Sequence, residues 1–335
     1  MSQSCRELSA TIDSTWRNVV QQRNRRLAKF ADSPPGREPY ENHRPINVSS
    51  RFEGQTILDV MTKSHPHIGI AEWQQIFAAG RIRKGNEPLA PSTRVRGGQQ
   101  YTHCFPYTTE PDVNCAVSVI YEDDELAAID KPAPLPLHPS GRFNRNTLVR
   151  LLEQAYGTTK LRHVHRLDAN TSGVLLFTKS AATATLLIDQ IEQVGFEKTY
   201  LVRCVGWPSE DEFTVDAPIS RFPGQAGIRV VDEQGKHAVT HFRCLQRDEN
   251  GTSLLKAYPK TGRTNQIRVH LWSINHPVVG DPLYLENREI GGIQTLTVDA
   301  PPMCLHAMKI EFDYPRSCER VSVQASVPVW ADQAV

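Results

Sequence analysis

The chain has 335 residues, 39% of them hydrophobic and 22% charged, with a formal net charge of +1. This is an ordinary soluble composition, and no apolar run approaches the roughly 20 residues that a membrane-spanning helix needs. So small a net charge excludes a strong whole-molecule field, so any nucleic-acid binding must come from a local basic patch. Seven cysteines stand singly, with no Cys-x-x-Cys pair and no zinc spacing, which predicts reduced thiols, no disulfide, no metal and a cytoplasmic location.

Residues 1–50 read as a basic N-terminal extension. A helix is predicted from Cys5 to Ala31, basic at Arg23, Arg25, Arg26 and Lys29, and broken by Asp32-Ser33-Pro34-Pro35-Gly36. Two readings stay open: an organelle transit peptide, diluted by Glu7 and Asp13, or a short basic helix that touches RNA or packs on the body.

Residues 51–106 form a second, compact unit. Thr56 is a candidate helix cap, and Ile70, Trp73, Ile76 and Phe77 recur at helical spacing up to Gly80, a helix stop. Arg81 to Pro88 and Arg94 to Gly98 predict two short strands around turns, carrying Arg81, Arg83, Lys84, Arg94 and Arg96. A polar linker over 106–114 leads to a third region, residues 115–330.

That region opens with a predicted β-hairpin, Val117–Tyr121 and Leu126–Ile129, followed by Asp130-Lys131-Pro132. An amphipathic helix capped by Asn146 carries Leu148, Leu151, Leu152 and Ala155 on one face and ends at Gly157. Next comes His165-Arg166-Leu167-Asp168-Ala169-Asn170-Thr171-Ser172-Gly173, then the apolar run Val174–Phe177. A carboxylate, a turn and a buried strand in succession place Asp168 on a loop at a sheet edge, a common setting for reactive side chains. A helix is expected from Ser180 to about Gln193, then a strand at Lys198-Thr199-Tyr200, and mostly antiparallel sheet beyond it. In Gly262-Arg263-Thr264-Asn265-Gln266-Ile267-Arg268-Val269-His270, Ile267, Leu271 and Ile274 share a helical face that leaves Arg268 aimed elsewhere. His276-Pro277-Val278-Val279-Gly280-Asp281 follows, with Asp281 read as a turn residue, and Leu305–Phe312 reads as a closing strand.

His165 to Gly173 resembles the signature of the RluA-type family of RNA pseudouridine synthases, His-Arg-Leu-Asp-x-x-Thr-Ser-Gly, at every fixed position. Lys198-x-Tyr200 and the Gly262–His270 run match the family's later motifs, with Asn265 standing for His and Asn275 for Gly. The 51–106 region is similar to the S4-like RNA-binding module of many members, with Gly85-Asn86 where that module has Asn-Gly. The resemblance implies an α+β fold: a pseudouridine synthase domain on a mixed, largely antiparallel sheet, an S4-like module and a helical extension. It also implies isomerisation of a specific uridine in rRNA or tRNA by a monomer without cofactor or metal.

The same resemblance assigns the site residues. Asp168 is the nucleophile, Arg268 the cation that keeps it ionised, and Tyr200 the aromatic that stacks on the uracil. Arg166 fills the space of the flipped base, or alternatively contacts a phosphate. His165 orders the loop, and Arg263 and Lys131 are phosphate or loop contacts. Two rivals are a catalytically silent RNA-binding protein and a nucleoside glycosidase, which needs a second carboxylate as acid.

Overall fold

Short apolar runs separated by turn residues give this chain many strands, and where those strands pair decides where the polar loops gather. The computed structural model describes residues 5–8, 13–193, 196–224 and 227–331. It divides into two units, Met1–Pro35 with Pro111–Val335, and Gly36–Glu110. The larger unit begins with β1 (Arg6–Glu7) and α1 (Ser14–Ala28). The smaller unit then holds β2 (Tyr40–Asn47), α2 (Ile57–Ser64), α3 (Ile70–Ala78), β3 (Ile82–Lys84), β4 (Glu87–Pro88) and β5 (Gln100–Thr108). The larger unit resumes with β6 (Ser118–Glu122), β7 (Leu126–Lys131), α4 (Leu148–Tyr156), β8 (Arg162–His163), β9 (Ser172–Thr178) and α5 (Ala181–Gln193). It closes with β10 (Glu197–Val205), β11 (Glu212–Asp216), β12 (Val239–Asp248), β13 (Thr252–Pro259), α6 (Gln266–Ser273), β14 (Leu305–Asp313) and β15 (Arg320–Gln324).

The main path of the large sheet runs β11-β12-β13-β10-β14-β9-β7-β6, with β15 beside β14, β1 beside β15 and β8 beside β9. Its pairs are antiparallel except β14 with β9 and β1 with β15, so the sheet is mixed and largely antiparallel. The closing strand β14 thus lies at the centre, between β10 and β9. One apolar core packs α4 and α5 against the β7–β9 half, and a second packs α6 against β10 and β13. Gly173 is obligatory at the seam: its φ is +110°, and a Cβ there would sit 2.2 Å from the Ala307 carbonyl oxygen of β14. No side chain fits in that gap. The Thr171-Ser172-Gly173 turn therefore lets β9 press against β14 immediately after Asp168.

The N-terminal helix is shorter than its composition suggests, Ser14–Ala28, capped by Asp13, whose carboxylate accepts the Thr15 N–H. Its predicted start overlaps residues 9–12, which lie outside the described ones, and Arg6–Glu7 instead pairs with β15. Two of its four named basic residues, Arg23 and Arg26, contact the body, while Arg25 and Lys29 are exposed. Asn24 exchanges hydrogen bonds with Val119, and Arg23 and Arg26 donate to the Ala155 carbonyl at the end of α4, where cations offset the helix dipole. Leu27 is fully buried beneath them. Downstream, α4 is capped at Thr147 rather than Asn146, because the Asn146 amide turns away to the Pro111 carbonyl.

The smaller unit is a four-stranded sheet in the order β2-β5-β3-β4, with Trp73, Phe77, Ile57, Val60 and Met61 of its helices in one core. Thr56 and Asp59 form a reciprocal capping box at the start of α2. The unit starts at Gly36 rather than at residue 51, because Tyr40–Asn47 pairs along β5. Pro45 within that run hides a strand from sequence reading, and an edge strand tolerates it. Of the two predicted strands, Arg81–Pro88 forms the β3–β4 hairpin, whereas Arg94 makes only a single bridge to Thr56. Beyond it a Gly97 Cβ would meet the Ser50 Cα at 2.8 Å, so this stretch is a loop packed on backbone.

Although the sequence offers no metal spacing, one ligand atom each of Glu41, His43 and Cys104 lies within 4.8 Å of the others across β2 and β5. Arg83 bears electrostatically on both Glu41 and Cys104 and supplies positive charge there. All seven cysteines are free thiols. Among the described residues no helix is long and apolar enough to cross a membrane.

Candidate active site

Asp168 occupies irregular backbone between β8 and β9, and several neighbours along that loop are tied down. The His165 Nε2 accepts the Leu176 N–H at 3.1 Å. That leaves the remaining proton of the neutral ring on Nδ1. Burial, then the charges of Lys198 and His163, hold the His165 pKa well below its ordinary value, so the ring is neutral and orders the loop. The Ala169 carbonyl accepts from Leu135 N–H and from Lys131 Nζ, at 2.8 and 3.1 Å. The Asn170 side chain bridges the Gln294 carbonyl and the Leu296 N–H, both at 3.0 Å. Thr171 N–H closes the turn onto the Asp168 carbonyl at 3.1 Å.

Lys131 is therefore a loop contact and not a phosphate contact. It is fully buried, and its Nζ reaches three carbonyls, those of Pro132, Leu135 and Ala169. Three acceptors match the three N–H groups of an ammonium. Burial draws its pKa down to about 7, opposed by the charges of Asp168 and Asp130. An unfolded lysine titrates near 10.4, so between those values the unfolded chain binds more protons and the Lys131 contribution to stability rises with pH. Below about pH 7 both states are protonated and that contribution is flat. Lys131→Met is expected to lower stability by about 2–4 kcal/mol, through buried carbonyls left without a donor. Urea midpoints at pH values either side of 7 should show the gap to wild type widening toward high pH.

The cation beside Asp168 comes from α6, which is buried all round from Gln266 to Leu271, so the single apolar face read from sequence is only part of its packing. Arg268 Nη1 lies 3.3 Å from the Asp168 Oδ2. Its Nε and Nη2 donate to the Asp281 Oδ2 and Oδ1, at 2.6 and 2.7 Å, a bidentate pair. The Nη1 also reaches the Asn265 Oδ1 at 3.2 Å, and the guanidinium carbon lies 4.9 Å from the Tyr284 ring centroid. Burial disfavours the Arg268 charge, but the hydrogen bonds and charge of Asp281, then the charge of Asp168, outweigh it and raise its pKa. The result is a permanently charged group whose orientation is fixed before any ligand arrives.

Asp281 is thus more than a turn residue. Its Oδ1 accepts the N–H groups of Leu283 and Tyr284, at 2.9 and 3.1 Å, and the same carboxylate, with no exposed side-chain surface, anchors Arg268. Asn265, the helix N-cap, sits in left-handed backbone at φ +58°, and its amide donates to the Tyr284 hydroxyl at 3.1 Å. Asp281, Asn265 and Tyr284 are the site residues that sequence reasoning passed over. The first two stood within its quoted motifs.

Asp168 faces two adjoining clefts. One, about 270 Å³, is lined by Asp168, Arg268, Tyr200, Lys198, Ile191 and the Gly262–Gln266 turn. The other, about 740 Å³, runs past His138, the 140–143 turn, Arg166 and Ile293. Tyr200 lies on β10 beside Ala307 of β14; burial, then the charge of Asp168, raises the pKa of its hydroxyl, which stays protonated at neutral pH. Arg166 is exposed, lines both clefts and has no hydrogen bond or ion pair among the described residues. Arg263 lies in the first cleft with its Nε on the His237 carbonyl at 3.0 Å. Asp168, Arg268, Tyr200, Arg166, His165 and Arg263 thus come together around one cleft.

The remaining candidates belong to the smaller unit. Arg81 and the half-buried Arg83 flank the buried Ile82 at β3, as strand alternation requires, and the exposed Arg94 and Arg96 flank the buried Val95 on their loop. Lys84 ends β3 in an exposed position.

Residues 125–273 match the family model described as RNA pseudouridylate synthase. Ribosomal large subunit pseudouridine synthase D of Nitrosomonas europaea is 36% identical over 309 residues, which cover 90% of this chain and 89% of that protein. The mitochondrial tRNA pseudouridine(32) synthase of Saccharomyces cerevisiae is 31% identical over 259 residues, covering 76% of this chain and 55% of that one. The solved structure of human RNA pseudouridylate synthase domain containing 1 is 26% identical, with a TM-score of 0.53, covering 64% of this chain and 85% of that one. The chain spans about half the length of several longer eukaryotic relatives that it matches.

Proposed function

The chain belongs to the RNA pseudouridylate synthase family, and from that premise we propose that it isomerises a specific uridine of structured rRNA or tRNA to pseudouridine. The observation that carries this reading is the Asp168 carboxylate, set between two clefts and held 3.3 Å from an Arg268 that is itself locked by Asp281. The reaction breaks the bond between ribose C1′ and uracil N1, turns the base, forms the C1′–C5 bond, and moves the C5 proton away while N1 gains one. It needs an ionised, weakly basic nucleophile at C1′ or C6, which a carboxylate paired with arginine supplies.

A base inside folded RNA must leave its stack to reach such a cleft. Tyr200 on the cleft wall offers its ring to the flipped uracil, and the unpaired planar guanidinium of Arg166 at the rim fills the vacated space. The smaller unit acts as an S4-like RNA-binding module through Arg81, Arg83, Lys84, Arg94 and Arg96. The enzyme works as a cytoplasmic monomer without metal or cofactor. A glycosidase reading requires a second carboxylate free to protonate the leaving base. Asp281 is fully occupied by Arg268 and two backbone N–H groups, which disfavours it.

The test maps pseudouridine in total RNA from a strain lacking the gene and from its parent, using carbodiimide modification and primer extension. One stop is expected to vanish in the deletion strain and to return with the intact gene but not with Asp168→Ala. An unchanged stop pattern in every abundant RNA would favour the catalytically silent RNA-binding protein instead.

A further inference from the structure

Next to the Asp168 cleft lies a depression that this mechanism does not use. It encloses about 160 Å³ and is lined by Arg221, Arg229, Lys236 and Arg263 with Ser220 and Thr264, and no carboxylate residue lies on its wall. Its volume is well above the roughly 10–15 Å³ that one water needs. We propose that it is a seat for one phosphodiester group of the substrate strand, flanking the flipped uridine; the choice of ligand rests on the functional reading above.

The pocket is built rather than accidental. Each guanidinium is steered by a backbone carbonyl: Arg221 Nε by Gln234 and Arg229 Nη1 by Ser220, both at 3.1 Å, and Arg263 Nε by His237 at 3.0 Å. None of the four cations forms an ion pair among the described residues, and Lys236 has no hydrogen-bonded side-chain partner there either. Charges held close together without a counter-ion repel one another, and an anion among them removes that cost. The segments that carry them are pinned at Ile219, which bridges both Val231 and Lys236. Gly235 permits that approach, since a Cβ there would stand 2.4 Å from the Ile219 carbonyl oxygen.

The pocket is also in register with the active site. Gly262, Arg263 and Thr264 line both it and the Asp168 cleft. The Tyr284 hydroxyl accepts the Arg229 N–H and donates to the Arg229 carbonyl, both at 3.0 Å, while its ring lies beneath Arg268. A phosphate bound here is held at a fixed offset from the reacting carboxylate. Planar guanidinium forks suit phosphate oxygens, and the position beside the uridine cleft selects a strand phosphate.

The experiment compares wild type with Arg221→Gln, Lys236→Gln and the control Arg150→Gln, whose side chain is an exposed partner of Glu153. Arg221 and Lys236 are exposed, so both variants should fold. Binding of a fluorescent oligouridylate is followed by anisotropy across a salt series, and turnover is measured on total RNA from the deletion strain. Each pocket variant should bind on the order of tenfold more weakly, with the slope of log affinity against log salt shallower by about 0.7. The Arg150→Gln control should leave both the slope and the turnover unchanged. Slopes equal to wild type in both pocket variants would overturn the phosphate seat while leaving the isomerase reading intact. A wild type with the pocket-dependent slope that converts no uridine would overturn the function and keep the seat.

Discussion

Asp168→Ala is expected to lower the single-turnover rate of uridine isomerisation by on the order of 10⁴-fold or more, the scale seen when a reacting nucleophile is removed. Binding of the same RNA should be preserved, because phosphate contacts supply most of the affinity and Asp168 makes none. Release of tritium from C5-labelled uridine measures the first quantity, and anisotropy measures the second. Folding should survive, since the side chain is 27% exposed and its ion-pair partner, Arg268, keeps two shorter bonds to Asp281. Asp168→Asn is the sharper control, because it retains shape and hydrogen bonding and removes only the charge. Residual isomerisation within tenfold of wild type in either variant would remove Asp168 from the reaction.

Arg268→Met should be costly in two separable ways. Deleting the cation strands Asp281, a carboxylate with no exposed surface, and breaking such a pair from one side costs about 3–5 kcal/mol. It also leaves Asp168 without the cation that lies 3.3 Å from its Oδ2, so activity should fall even in the fraction that remains folded. Adding Asp281→Asn separates the effects. The asparagine Oδ1 can still accept from Leu283 and Tyr284, and no buried charge remains, so the double variant should regain much of the lost stability in a urea titration. It should regain no activity. If activity returned together with stability, Arg268 would be a structural residue alone. Arg268→Lys should also fail, because a point charge cannot hold two oxygens of Asp281 and reach Asp168 at once.

What the sequence made legible here was whatever depends on neighbours in the chain. The Asp168 loop, the strand after it, the β6–β7 hairpin and the helix bearing Arg268 follow from local runs and turns. What escaped was set by partners far away. Asp281 has the look of a turn residue because it is one, and its grip on Arg268 arises only when α6 folds back over the turn. Lys131 reads equally as a phosphate or a loop contact until its three carbonyls are assembled around it. The strand Tyr40–Asn47 has no local signature and exists because β5 offers it an edge. For the same reason the basic tone of α1 suggests RNA, whereas Arg23 and Arg26 serve the end of α4.

The smaller unit begins at Gly36 and ends at Glu110, and those two residues are joined by a hydrogen bond of 2.9 Å from the Glu110 N–H to the Gly36 carbonyl. The unit is therefore an insertion whose two ends meet, interrupting a chain whose larger unit had already begun. Trimming the chain from its front to remove the insertion would also strip β1 and α1, with Leu27 and the two arginines that terminate α4. Replacing residues 37–109 by a short bridge would leave those elements in place. The smaller unit is accordingly an insertion at an interior seam of the chain rather than a fusion at its front.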